Sequence, residues 1–552
     1  MTSLPSKETL AIELKSDRGP LPDAALVEAV VCLANTDGGS VFLGVEDDGR
    51  VTGLHQSRRS SVGLPALVAN RTSPRVNVTV TDLDEAGVRV VRIDVPKSDQ
   101  IVATSDGTIK RRVLDARGRP ECVPMLPSEI PSRLSDLGRL DASAQLVPGA
   151  TLDALDPVER ARLRQFIQTY AGDRALAELS DDELDAAMGL VTGSGRDRSP
   201  TLAGLLLIGR EAALRELVPT HEVAFQVLDG ETVRLNEFTR WPLLRAFEWL
   251  DTLFLPLNTE EEVQVGLFRV AVPRVDRRAF REAIANALAH RDYTRLGTVH
   301  VRLDREALTI SNPGGFVEGV TQDNLLTTEP RPRNPRLADA LKRLGLAERT
   351  GRGVDLIYRG LLRYGRARPD YSRSTRASVV LRMPAAEADL GFLRLILEAE
   401  ERSGGPMPID SLIALACLRE QRRVTAEDVE RAIQKDRAAA KGTLERLVEA
   451  GLVEPHGNTK GRTYMLASKV YALLDQRTEY TRQAGYTTLQ HEQLVLGYVQ
   501  QHGEIRRENV VDLCHLTGDQ ASRLLRRLVD GGRLRLEGKK RWARYLLPET
   551  NT

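Results

Sequence analysis

Within Arg281–Gly297, read as REAIANALAHRDYTRLG, an acid, an amide and an imidazole recur at helical spacing. Glu282, Asn286 and His290 stand at i, i+4 and i+8, while Ala283, Ile284, Ala287 and Leu288 form an apolar face on the same turns. A carboxylate can orient or deprotonate a water. An uncharged amide oxygen can ligate a divalent cation without repelling phosphates, and an imidazole can donate to phosphate or to a neighbouring carboxylate. Two glycine loops follow, Asn312–Gly315 (NPGG) and Gly351–Gly353 (GRG, with Arg352 inside). Such loops let the backbone approach a base or phosphates closely. The second opens a helical stretch, VDLIYRGLL, and a helix N-terminus is a seat for anions. Each feature alone has an ordinary explanation: a solvated helix face, a plain turn, a helix cap.

The elements that must hold these residues come next. TVHVRLDREALTISNPGGF has the alternation of a hairpin ending in the first loop, and RNPRLADALKRLGLAERTGRGVDLIYRGLLRYG that of two helices joined by TGRG. RASVVLRMP closes the region as a strand. Upstream, HEVAFQVLDG and FRVAVPRV are strand candidates, and TLAGLLLIGREAALRELVP suggests a buried strand followed by a short helix. Residues 1–127 mix strand and helix: TLAIELKSD, the helix DAALVEAVVCLANTDG, a strand, turn and strand in SVFLGVEDDGRVTGL, a hairpin about Glu85–Gly87, and a further strand pair in IVATSDGTIKRRV. Residues 128–200 are mainly helical and polar. Beyond an edge at Ala385–Asp389 come two similar units, each helix, turn, helix and hairpin, sharing LERLVEAGLV and LRRLVDGGRL.

The chain of 552 residues therefore divides into five regions: 1–127, 128–200, 201–388, 389–475 and 476–552. Its formal net charge of +1 names no partner globally, but the second repeat is locally basic. From Arg506 to Tyr545 there are eleven Lys/Arg against five Asp/Glu. No apolar run is long enough to span a membrane, and the N-terminus lacks the pattern of a signal peptide. Four single cysteines (Cys32, Cys122, Cys417, Cys514) form no CxxC pair, which fits a reducing, cytoplasmic setting.

Taken together, EAIANALAHRDY, ISNPGGF and, about 35 residues later, GRG resemble the Bergerat-type ATP-binding fold of the GHKL superfamily. More closely, they are similar to its divergent branch in bacterial RecG-related transcriptional regulators. The resemblance covers roughly Leu202–Pro384. It implies an α/β sandwich binding ATP and Mg2+. Glu282 would be general base and Asn286 the magnesium ligand, with His290, Asn312, Gly314, Gly315, Gly351, Arg352 and Gly353 around the nucleotide. Asn312 stands where the superfamily usually has an Asp that accepts from the adenine amino group. No G-x4-GK[ST] motif occurs, so a P-loop motor is not expected.

KETLAIELK followed by ANTDGGSVFLGVEDDG resembles a Schlafen/AlbA_2 domain over about Leu4–Pro127. This implies nucleic-acid binding, with Lys15, Lys110, Arg111 and Arg112 as phosphate contacts. Some relatives cleave RNA with a carboxylate cluster, which would map to Glu8, Glu13 and Asp47 or Asp48. The alternative is that Glu13 pairs with Lys15 or an Arg, and that Asp47–Gly49 is a hairpin turn. The two C-terminal repeats resemble winged helix-turn-helix modules. Their helices would present Arg437 and Lys441 in the first, and Arg523, Arg526 and Arg527 in the second. The wings would have their tips at Gly457–Gly461 and at Lys539, Lys540 and Arg541.

The fold class expected is thus multidomain α+β. The function expected is an ATP-binding, double-stranded-DNA-binding regulator that forms a homodimer. A metal-dependent nuclease gated by ATP, or a degenerate ATPase scaffold, are the alternatives.

Overall fold

The computed structural model describes residues 4–58, 60–170, 173–193, 195–265, 268–385, 387–457, 462–468, 470, 488–514, 518–538 and 543–548. Two compact units emerge. The first holds residues 1–259, 277–357 and 369–385; the second holds 260–276, 358–368 and 386–552. One division between them lies at 385/386. Residues 260–276 and 358–368, which the sequence assigned to the middle region, belong to the second unit.

The N-terminal part of the first unit is a mixed sheet. Ile12–Lys15 pairs in parallel with Gly39–Leu43, which pairs antiparallel with Val88–Val95, itself antiparallel to Thr79–Glu85. The helix Asp23–Ala34 is apolar nearly all round and is buried against this sheet, with Leu26, Val30, Val31, Leu33, Val41, Leu43 and Ile93 in one core. The expected pair in IVATSDGTIKRRV does not form. Ala103–Thr104 pairs with Thr72–Ser73, and Lys110–Leu114 pairs with Pro120–Pro124. The strand expected after Leu43 shrinks to a bridge between Val45 and Val51.

Cys32 and Cys122 form a disulfide across 90 residues. The sequence reading left all four cysteines single; the spacing concealed a pair that only the packing of the Asp23–Ala34 helix on the strand Pro120–Pro124 brings together. Cysteine usage therefore carries no argument about compartment.

The middle part of the unit has a five-stranded sheet in the order Thr232–Thr239, Val223–Asp229, Val299–Leu303, Ala307–Pro313, Ser378–Pro384. Val223–Asp229 and Val299–Leu303 run parallel; the other neighbours are antiparallel. The helix Arg277–His290 packs on Ala307–Pro313 and beside Pro335–Arg343. The expected strand in TLAGLLLIG is instead the helix Leu202–Ile208, capped by the Thr201 hydroxyl on the Gly204 N–H. Every residue from Ala203 to Ile208 is buried, so no polar face marked its period.

In the second unit the two repeats share one plan. Ile409–Gln421, Ala426–Ile433 and Arg437–Glu449 pack with a sheet ordered Val424–Thr425, Thr463–Leu466, Val453–His456. Thr488–His502, Arg507–Cys514 and Gly518–Asp530 pack with Glu504–Ile505, Arg544–Leu546, Arg535–Glu537. Thr425 caps its helix in a reciprocal box with Asp428. Among the described residues, no helix is long and apolar enough to cross a membrane.

Candidate nucleotide site

Arg277–His290 is helical because alanine-rich turns carry apolar residues at i, i+3 and i+4. Phe280, Ala283, Ile284, Ala287 and Leu288 are buried, and Phe280 stacks on Phe254 with centroids 3.9 Å apart. The opposite stripe does not face open water, as a solvated helix would. Glu282, Asn286 and His290 line a cavity of about 190 Å³ together with Asn312, Gly315, Gly351 and Gly353. Ile310, Phe316, Val320, Leu325, Tyr371 and Leu381 supply an apolar wall, and Arg331 and Lys342 bring positive charge. Seven of the residues singled out in this region thus come together. Gly314 and Arg352 adjoin the two loops without lining the cavity.

Glu282 is 5% exposed. Burial raises its carboxyl above the usual range, and the charge of Glu348 adds to this; the Glu348 N–H (3.0 Å) and the Asn286 side chain, both donating to it, pull the other way. With its amide nitrogen donating to Glu282, Asn286 has its oxygen left to accept or ligate. Burial also pushes His290 down to about 4, with Arg333 and Lys342 adding to the effect, so its imidazole is neutral near pH 7. Asn312 is 5% exposed and donates from Nδ2 to the Pro313 carbonyl at 3.3 Å.

The glycines have packing reasons of their own. A Cβ on Gly353 would lie 2.0 Å from Glu282 Oε1, so the absent side chain lets that carboxylate sit against the start of the helix Gly353–Leu362. Gly351 has φ +83° with Pro330 against it, and Gly314 has φ +93° with Asp292 against it.

Sequence reasoning missed the residues that hold these loops. Arg333 is buried and donates to the carbonyls of His290 (3.0 Å) and Gly315 (2.9 Å), and pairs with Asp136. Asn334 donates to the carbonyls of Ala289 (2.9 Å) and Arg291 (2.8 Å), satisfying the open end of the stripe helix. Asp292 accepts from Ser132 (2.6 Å) and Thr294 (2.6 Å). Glu318 pairs with Lys97 (2.7 Å) and Arg133 (3.1 Å). Asp136, Ser132 and Arg133 lie in the helix Ile130–Asp136 and Lys97 in the N-terminal part, so the loop bordering the cavity is tied to both. A signal existed in RDY and RNP, polar runs beside the stripe helix and ahead of the next one.

The N-terminal candidates have a different fate. Arg112, expected on phosphate, is 2% exposed. Its guanidinium donates to the carbonyls of Thr9 and Ile12 (both 2.9 Å), pairs with Glu13, and lies 3.5 Å from Glu8. It is an internal counter-charge and cannot meet a phosphate from outside. Glu13 is 5% exposed and also pairs with Lys15. Asp47 and Asp48 are exposed, in a turn closed by the Gly49 N–H on the Glu46 carbonyl at 2.8 Å. Among the described residues, no group of three or more His, Cys, Asp or Glu is placed so that it could hold a metal ion. Lys110 pairs with Glu28, and Arg111 with Glu129.

On the second unit, Arg437 and Lys441 are exposed on one helix, and Arg523, Arg526 and Arg527 on another. Arg527 approaches Glu492 at 4.0 Å. Lys539, Lys540, Arg541 and most of the expected first wing tip, residues 458–461, lie outside the described residues.

Residues 8–118 match the family model described as Schlafen, AlbA_2, and residues 297–383 match the one described as Putative ATP-dependent DNA helicase recG C-terminal. The second match spans both glycine loops and begins after the stripe helix. Residues 133–224 match a domain of unknown function. No curated protein matches the chain. Among solved structures, the DIP2311 protein from Corynebacterium diphtheriae is similar in fold, at 23% identity and a TM-score of 0.51, over 98% of this chain and 95% of that one. The N-terminal domain of a RecG-related protein from Nitrosomonas europaea, titled a putative ATP-dependent DNA helicase, aligns at 22% identity and a TM-score of 0.16, over 18% of this chain and 71% of that one. The AlbA_2 and RecG-type resemblances are thus both found. The ATPase-like match implies nucleotide binding, and the AlbA_2 match suggests nucleic-acid binding.

Proposed function

We propose that the chain is a DNA-binding regulator in which Mg-ATP, held in the cavity under the stripe helix, biases how the DNA-contacting surfaces engage a duplex. The observation that carries this is the shared cavity of Glu282, Asn286, Asn312 and both glycine loops. The residues suit such a ligand. An apolar wall accepts a base, the Asn312 oxygen can take a donor from its edge, and the Asn286 oxygen suits a hard cation. The positive ends at Arg331, Lys342 and the start of Gly353–Leu362 suit phosphates. Mg2+, held by the Asn286 oxygen, would supply positive charge against the phosphates. Glu282, its carboxyl raised by burial, is the group placed to take a proton from water.

Regulation requires that the ligand favour one arrangement over another. The loop that borders the cavity supplies the connection. Arg333 touches the His290 and Gly315 carbonyls on one side and Asp136 on the other, so a shift at the cavity would move the contacts of the helix Ile130–Asp136 that follows the N-terminal part. The repeats of the second unit, each of helices and a three-stranded sheet and each read as a winged helix, would supply duplex contacts through Arg437, Lys441, Arg523, Arg526 and Arg527. Pairing of two chains on two half-sites completes the reading.

The test is linkage. Anisotropy of a labelled mixed-sequence duplex with the full chain should give an affinity that changes at least threefold with Mg-ATP, and no change for Asn286→Ala. Equal affinities for wild type with and without Mg-ATP would remove the regulatory claim.

A further inference from the structure

The seat that phosphates would take is already claimed by a side chain. Glu348 lies on the cavity wall, five residues before Gly353. Its carboxylate accepts from the Thr350 N–H at 2.8 Å, the Thr350 hydroxyl at 2.6 Å and the Arg352 N–H at 2.6 Å. Those amides belong to the TGRG loop at the mouth of the helix Gly353–Leu362. Gly351, between them, keeps φ +83° with a Cβ position only 2.6 Å from Pro330 Cγ, so the loop is held in the shape that points its N–H groups at an anion. A second carboxylate stands beside the first, since Glu282 Oε1 occupies the space above Gly353.

We propose that Glu348 is a specificity-determining residue of this site. Its carboxylate holds the amide seat of the terminal phosphates, and a polyphosphate must displace it to bind. This rests on the nucleotide reading above and deepens it. The geometry permits the exchange. The Glu348 backbone is anchored by its N–H on Glu282 Oε2 at 3.0 Å, whereas its side chain is only half-buried and can swing to solvent. A phosphate oxygen accepts from the same donors with a larger charge, so it replaces the carboxylate in kind. Two carboxylates beside the seat repel a bare polyphosphate, and a bound cation relieves that repulsion. The site therefore favours metal-bearing di- and triphosphates over bare ones, and Glu348 sets a cost on every polyphosphate that a nucleoside, which leaves the carboxylate in place, does not meet.

The experiment is calorimetry on the full chain with Mg-ATP, Mg-tripolyphosphate and adenosine, for wild type, Glu348→Gln and Glu348→Ala. Removing the competing charge is expected to tighten Mg-ATP and Mg-tripolyphosphate at least threefold in both variants and to leave adenosine unchanged. Glu348→Gln keeps an acceptor for the loop, and matching thermal midpoints confirm that the loop has not unravelled. Unchanged or weaker Mg-ATP binding in a folded Glu348→Gln, with wild type binding normally, overturns the inference alone. Absence of Mg-ATP binding in wild type and both variants overturns the nucleotide reading, and the inference with it.

Discussion

Two acidic constellations lie in the first unit, and their fates differ. Glu282 opens onto a cavity with an amide one turn away, whereas Glu13 is closed off by Arg112 and Lys15. Both carboxylates are about equally buried, at 5% exposure. The difference is the partner. A fully buried guanidinium consumes the charge of Glu13, and only N–H donors of modest strength meet Glu282. An acid is left available for chemistry when its neighbours solvate it without neutralising it.

The largest effect that can break this contrast is on stability. Arg112→Ala leaves Glu13 buried without its partner and should cost about 3–5 kcal/mol in urea unfolding of the N-terminal part. Unchanged stability together with new Mg-dependent cleavage of RNA would turn Glu8 and Glu13 into a working site and end the contrast. Next comes pH. His221 is 1% exposed and pushed down to about 4 by burial, with the Trp241 carbonyl at 2.8 Å on its Nε2. Its folded pKa lies below its unfolded value, so its contribution is present above about pH 6.5 and is lost as pH falls toward 4, on the order of 3 kcal/mol. Thermal melts across that window should steepen for wild type and flatten for His221→Gln; identical slopes would mean that the imidazole is protonated inside the fold.

Gly353→Ala sharpens the cavity side. The new Cβ meets Glu282 Oε1, and expelling that carboxylate should cost about 1–3 kcal/mol and weaken Mg-ATP at least tenfold in calorimetry. Normal affinity would show that Glu282 need not rest there. The smallest effect concerns exposed charge. Arg526 is exposed and makes no ion pair among the described residues, whereas Lys110 is paired with Glu28. Arg526→Ala should lower the salt slope of duplex binding by about one, and Lys110→Ala by less. A larger change for Lys110 would move the duplex contact to the N-terminal part.

Much of this was legible in the residues. The stripe helix, the hairpin ending in NPGG, the two helices about TGRG and the repeated C-terminal unit all follow from period and turn chemistry. What was hidden depended on distant partners. Leu202–Ile208 reads as a strand because burial on all sides erases its period. Arg112 reads as a surface base because nothing local shows that Glu13 and the carbonyls of Thr9 and Ile12 surround it. Cys32 and Cys122 are 90 residues apart, and Arg333 and Asp136 nearly two hundred, distances at which spacing carries no information.

Nucleotide binding would depend most directly on the amide of Asn286. Calorimetric titration of Mg-ATP into the full chain should show binding that Asn286→Ala weakens at least tenfold, while Asp47→Ala, on an exposed turn, leaves it unchanged. Equal affinity for wild type and Asn286→Ala, or a loss on Asp47→Ala instead, would contradict it.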